Sequence, residues 1–169
     1  MRRRILSLAI PAVVAAALVP AVASSDDGGG KSVTKFDTMT PVVEPFTSPD
    51  HAIRGVVGGG LPWQLDRAKG DLRADGTLRI DVRGLVLARR APVPANLQGT
   101  NPIPQFRGAV NCLTPDAPAN GVTVSTDPVA ASADGDARIR GHVDLPPDCI
   151  APIVFVTSPT GAWFAASGR

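Results

Sequence analysis

Histidine is the side chain that most often performs acid–base or metal chemistry, and this sequence has only two of them, His51 and His142. His51 follows Asp50, and His142 lies between Arg140 and Asp144 in an alternating segment. No serine occupies the glycine-flanked elbow of a Ser-His-Asp hydrolase. Neither histidine has the neighbouring cysteines or glutamates that a zinc site needs. We therefore predict two surface histidines and assign no catalytic residue.

The carboxylates also carry little sign of a site. The one glutamate, Glu44, lies in a proline-containing stretch. The run Asp134-Gly135-Asp136 resembles part of a calcium loop, but the twelve-residue pattern with its closing glutamate is absent. A two-carboxylate hydrolase would need aspartates distant in sequence to converge, which a sequence does not show. No phosphate-loop or dinucleotide fingerprint occurs either. We assign no metal ligand and no cofactor.

Two cysteines, Cys112 and Cys149, stand among apolar neighbours and predict a disulfide between facing sheets. Closing this loop of about 38 residues would stabilise the fold by up to about 4 kcal/mol. The spacing is too wide for a redox or zinc-binding thiol pair. Such a bridge forms in an oxidising compartment.

The N-terminus predicts that compartment independently. Three arginines precede an apolar stretch from Ile5 to Val19, and the small residues up to Ala23 predict cleavage between Ala23 and Ser24. Residues 1–23 are thus a predicted signal peptide. The alternative is an uncleaved anchor, but Pro11 and Pro20 interrupt the run. We expect a secreted chain with no membrane span after cleavage.

Charge excludes one class of partner. The leader takes three of the 17 basic residues, which leaves 14 against 15 acidic residues. A nearly neutral chain lacks the clustered Lys and Arg of nucleic-acid-binding proteins. The mature chain has a single adjacent basic pair, Arg89-Arg90, for which solvated loop charges are the favoured interpretation. The sequence predicts no nucleic-acid partner.

Alternation from residue 51 onward predicts an all-β domain over 51–169. Apolar and polar residues alternate over Thr77–Gly84 and Ala137–Leu145, and both segments follow an Asp-Gly turn. No segment keeps helical spacing, so we predict an antiparallel β-sandwich or, alternatively, a small β-barrel. The other candidate strands are 53–57, 61–65, 106–113, 122–126, 150–157 and 162–165.

Residues 24–50 predict a flexible tether, because their few apolar residues lie among glycines and prolines. Val42, Val43 and Phe46 could dock as an edge strand. The long segment Arg89–Gln105 predicts either a binding loop or an Ω-loop that covers one end of the sandwich.

We predict that Trp63 and Trp163 are core residues, because the chain has few other aromatic side chains to fill an interior. Were either exposed, it would favour a carbohydrate or protein platform.

Four runs resemble a functionally uncharacterised family of small secreted bacterial proteins, chiefly actinobacterial: GGGLPW (58–63), VRGLVL (82–87), PANLQGTNP (94–102) and IAPIVFVTSPTGAWF (150–164). The resemblance covers residue 53 to the C-terminus and implies an exported domain without implying a site residue. We expect a non-enzymatic binding or structural module of the cell envelope or medium, with an envelope or protein partner. A secreted hydrolase whose acidic or histidine side chains assemble in three dimensions is the alternative.

Overall fold

Twelve β-strands and one 3-10 turn form the regular structure of residues 30–117 and 119–168, which are the residues that the computed structural model describes. The 3-10 turn spans Pro49–His51, between β2 and β3. The predicted leader and its cleavage site, Ala23 and Ser24, lie outside the described residues. The strands are β1 (Ser32–Phe36), β2 (Thr40–Pro41), β3 (Trp63–Gln64), β4 (Arg67–Arg73), β5 (Thr77–Arg83), β6 (Val86–Leu87), β7 (Gln105–Leu113), β8 (Val122–Ser125), β9 (Val129–Ala130), β10 (Ala137–His142), β11 (Ile150–Thr157) and β12 (Trp163–Ala166).

The strands form two antiparallel sheets in a sandwich-like arrangement that does not close into a barrel. The first sheet has the order β1-β4-β5-β10, and the second has the order β2-β12-β11-β7-β8, with β9 also paired to β7. A separate two-stranded ladder joins β3 and β6. The all-β sandwich prediction is confirmed, and the barrel alternative is wrong.

Alternation along β5 and β10 positions the side chains as predicted. Leu78, Ile80 and Val82 of β5 are buried, and Ile139 of β10 lies directly opposite Ile80. Because successive side chains of a strand point to opposite faces, the residues between them must face solvent. This inward row is the first sheet's contribution to the core.

Gly108 of β7 marks a place where the two sheets come close together. A Cβ atom at this position would lie 2.6 Å from Leu78 Cδ2 and 3.3 Å from Ile139 Cγ2. The space that a side chain of β7 would occupy is therefore filled from the first sheet. Phe106 and Phe155 of the second sheet are fully buried in the same core.

Both tryptophans are buried, as predicted. The Trp63 ring packs on Phe164 with a centroid separation of 4.2 Å, and Trp163 lies 6.0 Å from Phe155. Their rings are therefore committed to the interior and form no exposed aromatic platform.

The disulfide is present between Cys112 and Cys149, with their Cα atoms 4.9 Å apart. We expected from the sequence that the bridge would join facing sheets, and this expectation is wrong. Cys112 lies in β7 and Cys149 directly precedes β11, and these two strands are hydrogen-bonded neighbours in which Ile150 pairs with Leu113. The bridge therefore ties the ends of adjacent strands in one sheet.

The tether prediction is wrong for the described residues from 32 to 42. Strand β1 pairs with β4, and Phe36 is buried over Gly70, where a Cβ atom would lie 2.4 Å from the Phe36 ring. Val42 is fully buried; its N–H donates to the Phe164 carbonyl and its own carbonyl accepts from Trp63 N–H. The segment is ordered because distant strands supply its partners.

Two further differences concern strand assignment. The predicted strand 53–57 is instead a tight turn, in which Arg54 and Gly55 have φ values of 48° and 78° and Ile53 bridges Val56. The sequence analysis missed β4 because its inward residues are Ala68, Gly70 and Leu72, and two of these are too small to mark a core strand.

Phe36→Ala tests whether β1 belongs to the fold. We expect the free energy of unfolding to fall by about 3 kcal/mol, because a buried aromatic ring is removed from the core edge. Urea unfolding monitored by tryptophan fluorescence measures the change. Val33→Ala, on the same strand but 42% exposed, is the matched control and should lower it by less than about 0.5 kcal/mol. Equal, negligible effects of both substitutions would restore the tether interpretation.

Candidate functional site

The outward side chains of the first sheet form a surface that we call the basic face. It comprises the residues of β1, β4, β5 and β10 that alternate with the buried row. Two of them are aspartates, Asp71 and Asp81, and Thr77 and His142 complete the far end. The basic members are Lys35, Arg67, Lys69, Arg73, Arg79, Arg83, Arg138 and Arg140.

The strand register places Asp81 at the centre of this face. Lys69 on β4 and Arg138 on β10 both lie directly opposite Asp81 on β5. The charges therefore alternate in sign across the three strands at this level of the sheet. Neighbouring strands are about 4.8 Å apart, so the two outer Cα atoms lie about 10 Å from each other.

The levels on either side of Asp81 bring like charges together. Arg67 is opposite Arg83, and Arg79 is opposite Arg140 on β10, although Asp71 on β4 faces Arg79 from the other side. Like charges directly opposite each other destabilise a sheet. Such pairs are expected where the positive potential itself has a use or where nearby carboxylates offset it.

Three carboxylates compensate part of this charge. Arg140 Nη2 is 2.9 Å from Asp81 Oδ1, and Arg73 Nε is 3.1 Å from Asp71 Oδ2. Arg83 pairs with Asp136, whose other oxygen accepts from Gly84 N–H. No carboxylate in the described ranges comes within 4.0 Å of the remaining basic side chains of the face, which are Lys35, Arg67, Lys69, Arg79 and Arg138.

Two overlapping grooves lie along the basic face. One has a volume of about 420 Å³ and is lined by five basic side chains around one carboxylate, that of Asp81. The other has a volume of about 460 Å³ and extends past Gly70 and Asp71 to Phe36 and Asp37. Both are open channels on an exposed sheet rather than enclosed cavities, so they suit a ligand that lies across the surface.

Asp71 on the face and Asp136 beside it are held in their charged form. Partial burial acts to raise the pKa of Asp71, but hydrogen bonds from Ser32 and Arg73, with the charges of Arg73 and Lys35, outweigh it and lower that pKa. The Gly84 N–H and then Arg83 lower the pKa of Asp136. A general acid needs a raised pKa. These carboxylates therefore act as fixed negative charges at neutral pH.

The residues that the sequence analysis singled out do not converge. His51 lies in the 3-10 turn and His142 at the end of β10, and both are exposed, as predicted. His142 Nε2 is 3.7 Å from Asp144 Oδ1. Asp136 of the calcium-like run is committed to Arg83 and Gly84. In the described residues no three His, Cys, Asp or Glu side chains form a group that could hold a metal ion.

The loop at 89–105 is closed upon itself. Gly99 N–H donates to the Leu87 carbonyl, and Leu87 N–H donates to the Thr100 carbonyl. Within the loop, the Val93 side chain is buried, and the Asn101 side chain donates to the Ile103 carbonyl. These contacts favour the Ω-loop interpretation over a binding loop.

One of the two arginines at the base of this loop, Arg90, is also paired. Arg90 lies 3.0 Å from Glu44, so this pair joins the loop to the segment that we predicted to be a tether. The hydrogen bonding of its own backbone and the Arg90 side chain lower the pKa of Glu44. Neither residue adds to the basic face.

Comparisons with protein-family models, with curated proteins and with solved structures find no match to this chain. Between residues 30 and 117 and between 119 and 168, no helix has the length and hydropathy that crossing a membrane requires.

Sequence reasoning missed the basic face because its charges are never adjacent in the chain. They recur at every second or every fourth position, as in Arg67/Lys69, Arg138/Arg140 and Arg79/Arg83, and β10 is distant in sequence from β4 and β5. One sequence feature could have revealed the face: nearly all the charged residues at the outward positions of these strands are basic, which is unusual for side chains that face solvent. Only the register of the sheet brings these rows together.

Asp71→Asn tests the anchoring of this face to β1. At pH 7 we expect the free energy of unfolding to fall by about 0.5 to 1 kcal/mol, because bonds from Ser32 and Arg73 weaken. A lowered folded-state pKa contributes stability above the ordinary value of 3.8 and loses it as pH falls through the folded value. The variant and the wild type should therefore converge below pH 4 in urea unfolding.

The control is Asp37→Asn, which lines the groove of about 460 Å³, because the Asp37 carboxylate accepts no hydrogen bond from the described residues. It should change stability by less than about 0.3 kcal/mol at pH 7. A pH-independent difference for Asp71→Asn would contradict this role of Asp71.

Proposed function

We propose that this chain is a secreted, non-enzymatic β-sandwich module that binds an anionic partner through its basic face, in the cell envelope or the extracellular medium. The leader pattern supports export, and so does a disulfide, which persists in oxidising compartments. The resemblance to small secreted bacterial proteins agrees with this location.

The observation that carries the proposal is the separation of charge over the surface. The described residues include 13 basic and 13 acidic side chains, so this part of the chain is neutral. Eight basic and two acidic residues lie on the basic face, which leaves five basic and 11 acidic residues elsewhere. A surface charge of one sign concentrates ligands of the opposite sign and accelerates their association.

The chemistry of the face supports binding rather than hydrolysis. Its two carboxylates, Asp71 and Asp81, are paired with arginines, and the pKa of Asp71 is lowered, whereas a glycosidase needs one carboxylic acid that stays protonated. The two histidines lie on separate elements, and neither of them lines either groove. Arginine side chains, in contrast, suit bidentate contacts with carboxylate, sulfate or phosphate groups.

Export is tested by intact-mass spectrometry of culture medium and membrane fractions, with and without alkylation. We expect the medium to contain a chain that begins at Ser24 and takes up alkyl groups only after reduction. A membrane-bound chain that retains residues 1–23, or two thiols that react without reduction, would contradict export through an oxidising compartment.

Binding is tested on heparin-agarose, a general polyanion, with elution by a salt gradient. Lys69→Gln/Arg138→Gln removes two basic side chains that have no carboxylate within 4.0 Å and leaves every observed ion pair intact. We expect the column to retain the wild type despite its neutrality, because the positive potential is concentrated on the basic face. The variant should appear in the flow-through, before the salt gradient begins.

Lys31→Gln/Arg89→Gln is the matched control, since it also removes one exposed lysine and one exposed arginine but lies off the face. It should elute with the wild type. Loss of retention in both variants alike, or no retention of the wild type, would refute binding through this face. Release of reducing sugar from heparin by the wild type would favour the hydrolase.

A further inference from the structure

The geometry points to a linear polymer of phosphodiesters joined by a short neutral polyol as the ligand of the basic face. This inference rests on the proposed function, because it names the chemical class of the anionic partner. It follows from three features of the face: which side chains are absent, how far the free charges extend, and where Asp81 lies.

The basic face offers a ligand charge and almost nothing else. Apart from the charged residues, the outward positions of β4, β5 and β10 hold only Thr77 and His142. No aromatic ring on them could stack on a sugar or a nucleobase, and both tryptophans are buried. Stacking supplies much of the affinity for single-stranded nucleic acids. Phosphate groups with a small linker need no such contacts.

The unpaired charges extend too far for a single small anion. Arg67 and Lys69 are about 7 Å apart along β4, since outward residues of a strand repeat at that distance. Arg138 lies two strands away from Lys69, at about 10 Å between Cα atoms. One phosphate reaches one or two of these side chains, whereas an extended chain reaches all of them.

The position of Asp81 favours a ligand whose negative charges are separated by neutral segments over one that is charged at every unit. It lies between Lys69 and Arg138, so a ligand that spans both must pass the Asp81 carboxylate and the Arg140 guanidinium with which it is paired. In inorganic polyphosphate every unit is charged, and one of its units would face Asp81. A polyol spacer puts a neutral segment there and leaves phosphates for the two basic side chains. The order basic–acidic–basic thus matches phosphate–spacer–phosphate.

The test measures binding of fluorescently labelled poly(glycerol phosphate) by anisotropy. Polyphosphate, polygalacturonate, heparin and duplex DNA, matched in total charge, serve as competitors. We expect poly(glycerol phosphate) to bind at least tenfold more tightly than any competitor. Its affinity should fall about 100-fold between 50 and 200 mM salt, as about five charge contacts imply.

Lys69→Gln/Arg138→Gln should weaken this binding at least tenfold and reduce the slope of log affinity against log salt by about 1.5. The control Lys31→Gln/Arg89→Gln should stay within twofold of the wild type. Thermal unfolding of each variant confirms that it is folded, and the salt slope of the wild type tests the charge contacts without any substitution.

Asp81→Asn tests the interruption itself. Removing the central negative charge, which also frees Arg140 from its ion pair, should tighten polyphosphate binding at least tenfold and poly(glycerol phosphate) binding less than threefold, so that selectivity is lost. An unchanged ratio of the two affinities would overturn the role of Asp81 and with it the choice of a spaced polymer.

The outcomes separate the two proposals. If heparin, polygalacturonate or DNA competes as well as poly(glycerol phosphate), and the Lys69/Arg138 variant loses all of them, the phosphodiester inference fails and anion binding through the face stands. If the variant and its control bind every polymer like the wild type, both proposals fail.

Discussion

The packing of the first sheet against β7 is the constraint on which the rest of the structure depends. Leu78 and Ile139 fill the space that a side chain at Gly108 would take, so the two sheets meet with no room for a change of register. A slip of one residue would bury the charged row of β5 and expose its apolar row. The buried row thus determines, residue by residue, which side chains reach solvent.

The basic face is the consequence of that register, and it is not the arrangement that stability alone would favour. Two arginine pairs lie directly opposite each other, where a carboxylate would have been more favourable. Places where a sequence departs from locally favourable chemistry are often functional sites. The exposed carboxylates that would balance these arginines are present in the chain but lie mostly on other surfaces.

The sequence predicted the features that depend on local pattern. Alternation located β5 and β10, and burial of Trp63 and Trp163 followed from the shortage of other large side chains. It could not predict β1 or β4, because Phe36 reaches the core only by packing over Gly70 of a strand that is 34 residues away. Neither segment has enough apolar residues of its own to mark a core strand.

The basic face escaped prediction for a related reason. Composition showed a nearly neutral chain after removal of the predicted leader, and this argued against a nucleic-acid partner. Each of the strands β4, β5 and β10 carries only a few basic residues on its outward side. Because the three strands lie side by side in the sheet, these residues form one positively charged surface. Net charge is a property of the whole chain, whereas binding depends on how that charge is distributed over the surface.

That distribution has a mechanical consequence. A neutral body with positive charge on one flat side and negative charge on the others has a large electric dipole moment, directed roughly along the normal to the first sheet. Near a negatively charged wall it experiences a torque before it makes any contact. The molecule would arrive with the first sheet towards the wall, which leaves the free edge of β8 and the outer side of the second sheet turned towards the medium.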